Sequence, residues 1–311
     1  MSERRQVDNF TIECFRNCPK FYYWRIHRNL VKPVEKKVAA EFGSAVHLAL
    51  EIYYKNGMSQ EAIDKALVDS LDYFTPFETE GDAKRTTARL LVILGKYFER
   101  YKHEPFNVLA TEVGGAFELD NNWIYTTRLD LLVEWQSPRG IYIVDHKTTY
   151  DLGSLIAKPH NQITGYIYNA CEMYESVLGA VINGIGVYAT DEVMDKMAPK
   201  IPSAKTGKMI YATKPREFFI RIPTQRTPRE LAEWKEETLW WLHHIEECVE
   251  HDKWPKHSPD YCVKYRGRCS FLDLCNADPE TCERMIEAGV YEINPWQAYK
   301  GAATDTNGEE V

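Results

Sequence analysis

The chain has no apolar run near the roughly 18–20 residues that a membrane-spanning helix needs, so no membrane partner is expected. Its first ten residues, MSERRQVDNF, lack the apolar core of a secretion signal. The expected setting is therefore cytoplasmic, in a prokaryotic or phage-infected cell, where thiols stay reduced. There is no G-x-x-x-x-G-K-[ST] loop, which excludes a P-loop ATP motor. No internal repeat marks a solenoid or a propeller. Positive charge is also scarce: 38 Lys and Arg stand against 46 Asp and Glu, a net charge of −8. That excludes a generally basic nucleic-acid coat, but not a local cationic groove around an acidic site. Eight cysteines in a reducing compartment read as metal ligands or core residues rather than disulfides. What is present is a 311-residue chain, 44% apolar and 13% aromatic, enough for one large or two modest cores.

The most informative stretch is IYIVDHKTT, Ile141–Thr149. Ile141 to Val144 has the pattern of a buried strand, yet it runs into Asp145, His146 and Lys147 instead of a turn. Side chains alternate along a strand, so Asp145 and Lys147 share a face. The preceding apolar strand, Thr126–Glu134, carries Asp130, and the turn residues Gln136–Gly140 separate the two. A hairpin brings Asp130 beside Asp145. Two carboxylates and a lysine are the minimum needed to hold a divalent ion and a hydrolytic water. The same spacing also describes a surface ion pair of little worth.

Taken in order, residues 1–7 are polar and expected to fray. Asp8 and Asn9 cap a helix starting near Phe10, and Pro19 begins another, which leaves Cys18 at a helix joint. Over Ala39–Lys55, residues Phe42, Ala45, Val46, Ala49, Leu50 and Tyr53 form one apolar stripe. Gly43, His47 and Glu51 follow a neighbouring face at intervals of four. Gly43 leaves room for another backbone, and Glu51 can orient the imidazole, although a lone histidine there is also an ordinary structural residue. Helices are predicted over 59–74 and 83–103, strands over 108–119 and 123–134. Glu112 either faces the same cavity or is an edge charge. A helix over 161–178 places Gln162 and Tyr166 on one face. Strands near 182–189 and 217–222 flank a loop-like, lysine-rich segment, 190–215, and a long helix covers 228–250.

Near the end, Cys262, Cys269, Cys275 and Cys282 are separated by six, five and six residues. A zinc ribbon wants about two to four between paired ligands, so an iron–sulfur site fits better. It would be closed by Cys282 or by a cysteine from elsewhere. Residues 301–311 are polar and expected to be disordered.

The order Cys18-Pro19 with Phe21 and Tyr22, Gly43-x-x-x-His47, Arg128-Leu129-Asp130, Asp145-x-Lys147 with Thr148 and Thr149, Gln162-x-x-x-Tyr166, then Cys262, Cys269 and Cys275 resembles the PD-(D/E)XK nuclease superfamily. It is most similar to the RecB-like branch that carries an iron–sulfur cluster: AddB-type domains, exonuclease V-type enzymes, CRISPR-associated adaptation nucleases and phage exonucleases. The resemblance runs from about residue 10 to 276. One departure is Thr127, where that pattern commonly has glycine before the arginine.

The resemblance implies that His47, Asp130, Asp145 and the His146 carbonyl bind Mg²⁺ or Mn²⁺, that Lys147 activates water and steadies phosphate charge, and that Gln162 and Tyr166 hold the lysine and the nucleic-acid backbone. It implies a [4Fe–4S] cluster on Cys18, Cys262, Cys269 and Cys275, with Cys14 and Cys282 as rival ligands. The expected function is a metal-dependent DNA exonuclease acting on single-stranded ends in repair, recombination or phage replication. The alternatives are a DNA-trimming adaptation nuclease and a non-catalytic, zinc-bound nucleic-acid-binding protein. Candidate DNA contacts are Arg25, Arg28, Lys196, Lys200, Lys205, Lys208, Lys214, Lys264, Arg266 and Arg268, with Tyr22, Tyr23, Trp24 and Tyr166 as stacking surfaces. The expected fold is α/β, a central mixed β-sheet flanked by helices, with a cysteine-cluster subdomain built from both chain ends. The boundaries are 1–38 for the N-terminal segment, 39–252 for the nuclease core, 253–290 for the Cys-rich segment and 291–311 for the tail.

Overall fold

The computed structural model describes residues 4–33, 38–156, 158, 160–194, 196, 197, 200–203, 206, 208–257, 259–264 and 267–297. Lys205, Arg266, the Lys264 side chain, the helix break expected at Pro159 and the tail from residue 298 lie outside the described residues.

The chain opens with β1 (Arg5–Val7), α1 (Asn9–Asn17), α2 (Pro19–Tyr22), continued by a π-turn, and β2 (Leu30–Val31). Three helices follow: α3 (Val38–Lys55), α4 (Gln60–Phe74) and α5 (Thr87–Arg100). The sheet is then built by β3 (Phe106–Glu118), β4 (Trp123–Gln136) and β5 (Arg139–Thr149), with α6 (Asn161–Met173) leading to β6 (Val177–Gly186). Four short strands, β7 (Glu192–Met194), β8 (Lys200–Pro202), β9 (Met209–Tyr211) and β10 (Thr213–Pro215), precede β11 (Phe219–Thr224) and the long α7 (Pro228–Glu250). The remainder is α8 (Pro259–Cys262), β12 (Val263–Lys264), β13 (Gly267–Arg268), α9 (Leu272–Asn276), α10 (Pro279–Glu287) and β14 (Glu292–Ile293).

Among the described residues six strands form the main sheet, in the order β1-β4-β5-β6-β11, with β3 also paired to β4. It is mixed: β1 runs parallel to β4 and β5 parallel to β6, while the other pairs are antiparallel. The α6 crossover allows the parallel β5–β6 pair, which a hairpin cannot make. Alternation along the strands feeds two cores. Leu131, Val133, Tyr142 and Val144 pack on α3 residues Phe42, Val46 and Leu50. Leu132, Ile143 and Ile182 pack on α6 residues Ile163 and Ile167. The helices bearing His47 and Gln162 therefore lie on opposite faces of the sheet.

The two chain ends meet. Glu292–Ile293 pairs antiparallel with Leu30–Val31, and Trp24, Leu30, Phe271, Leu274, Cys282 and Tyr291 share one apolar cluster. Tyr291 is buried, so the folded part runs past the boundary drawn before residue 291.

Other expectations are corrected too. Arg5–Val7 does not fray but pairs with Trp123–Tyr125. The helix expected over 83–103 starts at Thr87, capped by the Thr86 hydroxyl. The helix expected to reach 178 ends at Met173; Tyr174 is extended and Ser176 takes φ 61°, which turns the chain into β6. Leu178 is thus a strand residue. Within the loop expected over 190–215, the described residues form a β-ribbon, with β7 paired to β10 and β8 to β9. Strand alternation there was hidden by lysines and prolines on exposed positions.

Gly179 marks a tight approach between strands. It has φ +154°, and a Cβ built there would sit 2.2 Å from the Thr224 carbonyl oxygen of β11. Backbone cannot rotate away from such a contact, so Gly179→Ala should cost on the order of 1–3 kcal/mol. A thermal melt should show the midpoint several degrees lower; an unchanged midpoint would mean that β6 and β11 separate freely.

Candidate active site

The α3 stripe predicted from sequence is buried, which turns Gly43, His47 and Glu51 toward a cleft of about 700 Å³ that also takes in Tyr73, Glu112, Asp130 and Tyr166. Gly43 is where α3 meets the end of β5: a Cβ there would lie 3.2 Å from Thr148 Oγ1.

His47 Nδ1 stands 3.5 Å from Asp130 Oδ1. The other Asp130 oxygen accepts the main-chain N–H of His146 at 2.7 Å. Burial alone would push the Asp130 carboxyl up, but the hydrogen bond and charge of His47, with His146, outweigh it and hold the group well below the usual carboxylate range.

Glu112 completes the group. One donor atom from each of His47, Glu112 and Asp130 lies within 4.8 Å of the others. The strand bends to bring Glu112 there: it has φ 51°, in the left-handed region, in the middle of β3. Non-glycine residues held so are strained, and such strain gathers at functional sites. Opposite, alternation slips in β4, since Leu129 packs with Leu132 on the α6 side while Leu131 packs on the α3 side. Glu112 also pairs with Arg128. Burial first, then the negative charge of Asp130, raises its carboxyl above the usual range. A left-handed glutamate inside a strand has no sequence signature, so Glu112's place in the cleft is visible only in the fold.

Asp145 is not one of these three. It is 1% exposed and lies behind them, on the α6 side of β5. Lys147 Nζ donates to Asp145 Oδ1 at 3.0 Å and to Gln162 Oε1 at 2.9 Å, and Gln162 Nε2 donates to the Tyr166 hydroxyl at 3.0 Å. The shared face of Asp145 and Lys147, and of Gln162 and Tyr166, is as their spacing required. Burial raises the Asp145 carboxyl to about 6 in spite of Lys147. Its Oδ2 is buried and makes no hydrogen bond, although Lys147 Nζ is 3.0 Å away.

A second set of polar residues supports His146 from the α3 side. Asn183 Nδ2 lies 2.8 Å from both His146 Nδ1 and the Tyr97 hydroxyl. The Tyr97 and Tyr54 hydroxyls are 2.8 Å apart, and Tyr54 donates to Glu104 at 2.6 Å. Arg221 clamps Glu104 through two bonds, of 2.6 and 2.8 Å. The amide of Asn183 can only donate through Nδ2, so His146 accepts at Nδ1 and carries its proton on Nε2. Burial holds the imidazole neutral, its pKa lowered to about 3.

The cysteines form a separate site. Cys18, Cys262, Cys269 and Cys275 all line one cavity of about 340 Å³, walled by Phe21, Phe271 and Leu272. Cys14 instead packs with Ile12, Phe15 and Tyr125, where burial pushes its thiol up to about 12. Cys282 is buried, its thiol donating to the Leu274 carbonyl at 3.3 Å. Neither rival faces the cavity.

Several expected DNA contacts are engaged within the protein. Tyr22 is buried and stacked on Trp254 at 5.7 Å, and Trp24 is 5% exposed, so neither ring is open to a base. Arg25 donates to the Asn294 carbonyl, and Arg28 is paired with Glu283. Tyr166 does line the cleft.

A sequence profile of the PD-(D/E)XK nuclease superfamily matches residues 10–276. Among solved structures, a protein from Eubacterium rectale provisionally designated an exonuclease is 15% identical, with 88% of each chain aligned and a TM-score of 0.47. LHK-Exo, solved in complex with dAMP, is 14% identical over 69% of this chain and 96% of its own, with a TM-score of 0.27. No curated protein matches the chain.

Two outcomes follow from the geometry. If Asp145 ligates a cation, it must first lose its proton, and burial raises its carboxyl to about 6. Mn²⁺ should therefore raise the melting temperature well above pH 6 and do so much less below it; an equal rise at both would remove Asp145 from the cation site. Asn183→Leu takes away the hydrogen bond that orients His146, and should weaken Mn²⁺ about 10–100-fold in a titration calorimeter. Unchanged affinity would leave the network a structural role only.

Proposed function

The chain belongs to the PD-(D/E)XK nuclease superfamily, and on that premise we propose that it is a divalent-metal-dependent DNA nuclease of the RecB-like, cluster-bearing branch, acting on single-stranded ends. The observation that carries this reading is the convergence of His47, Glu112 and Asp130 within 4.8 Å of one another at a cleft toward whose wall the Lys147–Gln162–Tyr166 chain leads.

The donors suit Mg²⁺ or Mn²⁺: carboxylate oxygens with one imidazole, and a buried Asp145 oxygen lacking a hydrogen bond. His47, Glu112, Asp130, Asp145 and the His146 carbonyl would hold the ion. When bound, a divalent cation supplies neutralisation of phosphate charge and acidification of water. The protein's own groups do the rest. Lys147, fixed between Asp145 and Gln162, orients the water and steadies charge on the phosphate. Gln162 holds the lysine in place and is itself held by Tyr166. The cleft volume of about 700 Å³ falls in the range of small-ligand sites, about 300–1,000 Å³, which suits a nucleotide or two of one strand rather than a duplex.

For the second site, Cys18, Cys262, Cys269 and Cys275 are proposed to hold a [4Fe–4S] cluster. Their cavity of about 340 Å³ is about ten times the roughly 30 Å³ that one water occupies, far more than a single zinc ion requires. Bound there, the cluster would tie the N-terminal segment to the Cys-rich segment. The core of 39–252 would then work as the nuclease proper, with 1–38 and 253 onward, through Ile293, as the clasp.

End-labelled single- and double-stranded DNA, incubated with Mg²⁺, Mn²⁺ or chelator, tests the reading. Cleavage is expected only with metal, and faster on single strands. Lys147→Ala should fold normally and lose roughly 10²–10³-fold in rate; wild-type rates in that variant would take the lysine out of the mechanism. The purified protein should be brown, its visible absorbance bleaching on reduction, and Cys275→Ser should be pale. A colourless protein containing zinc would overturn the cluster.

A further inference from the structure

We propose that the β-ribbon made by β7 with β10 and β8 with β9 is a DNA-gripping arm that holds the substrate next to the cleft, with cations on phosphates and an apolar end against bases. The proposal rests on the nuclease reading and adds where the substrate is held outside the metal site.

The ribbon stands off the core. β7 pairs with β10 and β8 with β9, and no strand of either pair joins the main sheet. A two-stranded ribbon is at best marginally stable alone in water, so both of its open faces invite a partner. Its large side chains are turned outward. Ile201 and Ile210 face each other across the ladder, as do Pro202 and Met209, and Ile201, Ile210 and Met209 are 48%, 46% and 58% exposed. This apolar end is bordered by cations. The segment 192–215 holds five Lys against Glu192 and Asp195, a local excess of positive charge in a chain with a net charge of −8.

Charge selects the occupant. Two copies of a segment with a net positive charge repel one another, whereas a polyanion is attracted, with release of its counterions. Shape agrees: a two-stranded ribbon fits a DNA groove, and exposed Ile, Met and Pro side chains are the types that wedge between bases.

Position agrees as well. The arm leaves the sheet at the end of β5 that carries Lys147. Val187 N–H donates to the Thr149 carbonyl at 2.7 Å, two residues past the lysine. At about 3.3 Å per residue, the root of the ribbon lies within roughly 25 Å of Lys147 along the strands. That root is fixed. Arg89 and Lys96 of α5 pair with Asp191 at 2.9 and 3.3 Å, and the Arg216 N–H donates to the Asp191 carbonyl at 2.8 Å. The arm is thus aimed by α5 rather than tethered loosely.

Three variants test the proposal in the full chain. In one, Met194 is joined to Thr213 by Asn-Gly, a two-residue hairpin turn, which removes the outer ribbon. In the second the ribbon stays and carries Ile201→Ser with Met209→Ser. In the third it carries Lys200→Glu with Lys208→Glu. The probe is a fluorescein-labelled duplex with a single-stranded tail, in chelator, followed by anisotropy over a salt series. Hydrolysis of the p-nitrophenyl ester of thymidine 5′-phosphate, too small to reach the ribbon, reports the state of the metal site in each variant. The shortened arm should bind the probe at least tenfold more weakly. The charge-reversed arm should lower the salt slope by about two, one for each phosphate that a lysine no longer neutralises. The apolar double variant should weaken binding without changing that slope. Wild-type affinity and slope in the shortened variant would overturn the proposal. So would a change from dimer to monomer on shortening, since the ribbon would then serve a second copy of the chain. If the intact protein cleaves neither DNA nor the small ester, the nuclease reading falls, and the binding data still decide on the arm.

Discussion

Asp130 is held from two sides, and the site depends on that hold. One oxygen accepts the His146 N–H at 2.7 Å, and the other faces His47 at 3.5 Å. The first contact ties β4 to β5 where their regular pairing, which ends at Leu131 and Val144, has stopped. The second ties both strands to α3. Three elements far apart in sequence are thereby fixed at one carboxylate, kept ionised by its neighbours against the cost of burial. The strained glutamate of β3 and the lysine of β5 are positioned around this point.

Behind it lies a polar chain inside the core, from Arg221 and Glu104 through Tyr54, Tyr97 and Asn183 to His146. Burying so many polar groups costs free energy that apolar residues would not. Each link found a partner, and breaking the Arg221–Glu104 pair would leave a buried charge unopposed, at a cost of about 3–5 kcal/mol. An apolar core would be at least as stable, but it could not orient the imidazole between Asp145 and Lys147. The arrangement exchanges some ease of folding for a fixed main chain at His146, whose N–H holds Asp130.

Much of this was legible from residue order alone. The α3 stripe, the hairpin of β4 and β5, the shared face of Asp145 and Lys147, and the four-residue step from Gln162 to Tyr166 all follow from helix and strand periodicity, which local spacing encodes directly. Cys18 at a helix joint followed from Pro19. Features that need the third dimension were not legible. Glu112 enters the cleft only because its backbone turns left-handed. Asn183, Tyr97 and Arg221 read as ordinary strand and helix residues until the fold stacks them. Tyr22 and Trp24, candidate stacking surfaces for bases, are buried against Trp254 and the Phe271 cluster, a closure that their spacing in the chain does not encode. The ribbon carries a loop-like sequence because its strands are three residues long and face water on both sides.

The meeting of the chain ends has a consequence for biosynthesis. Strand β2 finds its partner β14, and Cys18 its neighbours Cys269 and Cys275, only when residues more than two hundred positions later are available. Ribosomes add about 5–20 residues per second, so the early thiol waits on the order of ten seconds to a minute before its cavity can close. Throughout that interval the nascent N-terminal helices have no lid. The end that is made first is among the last to be completed.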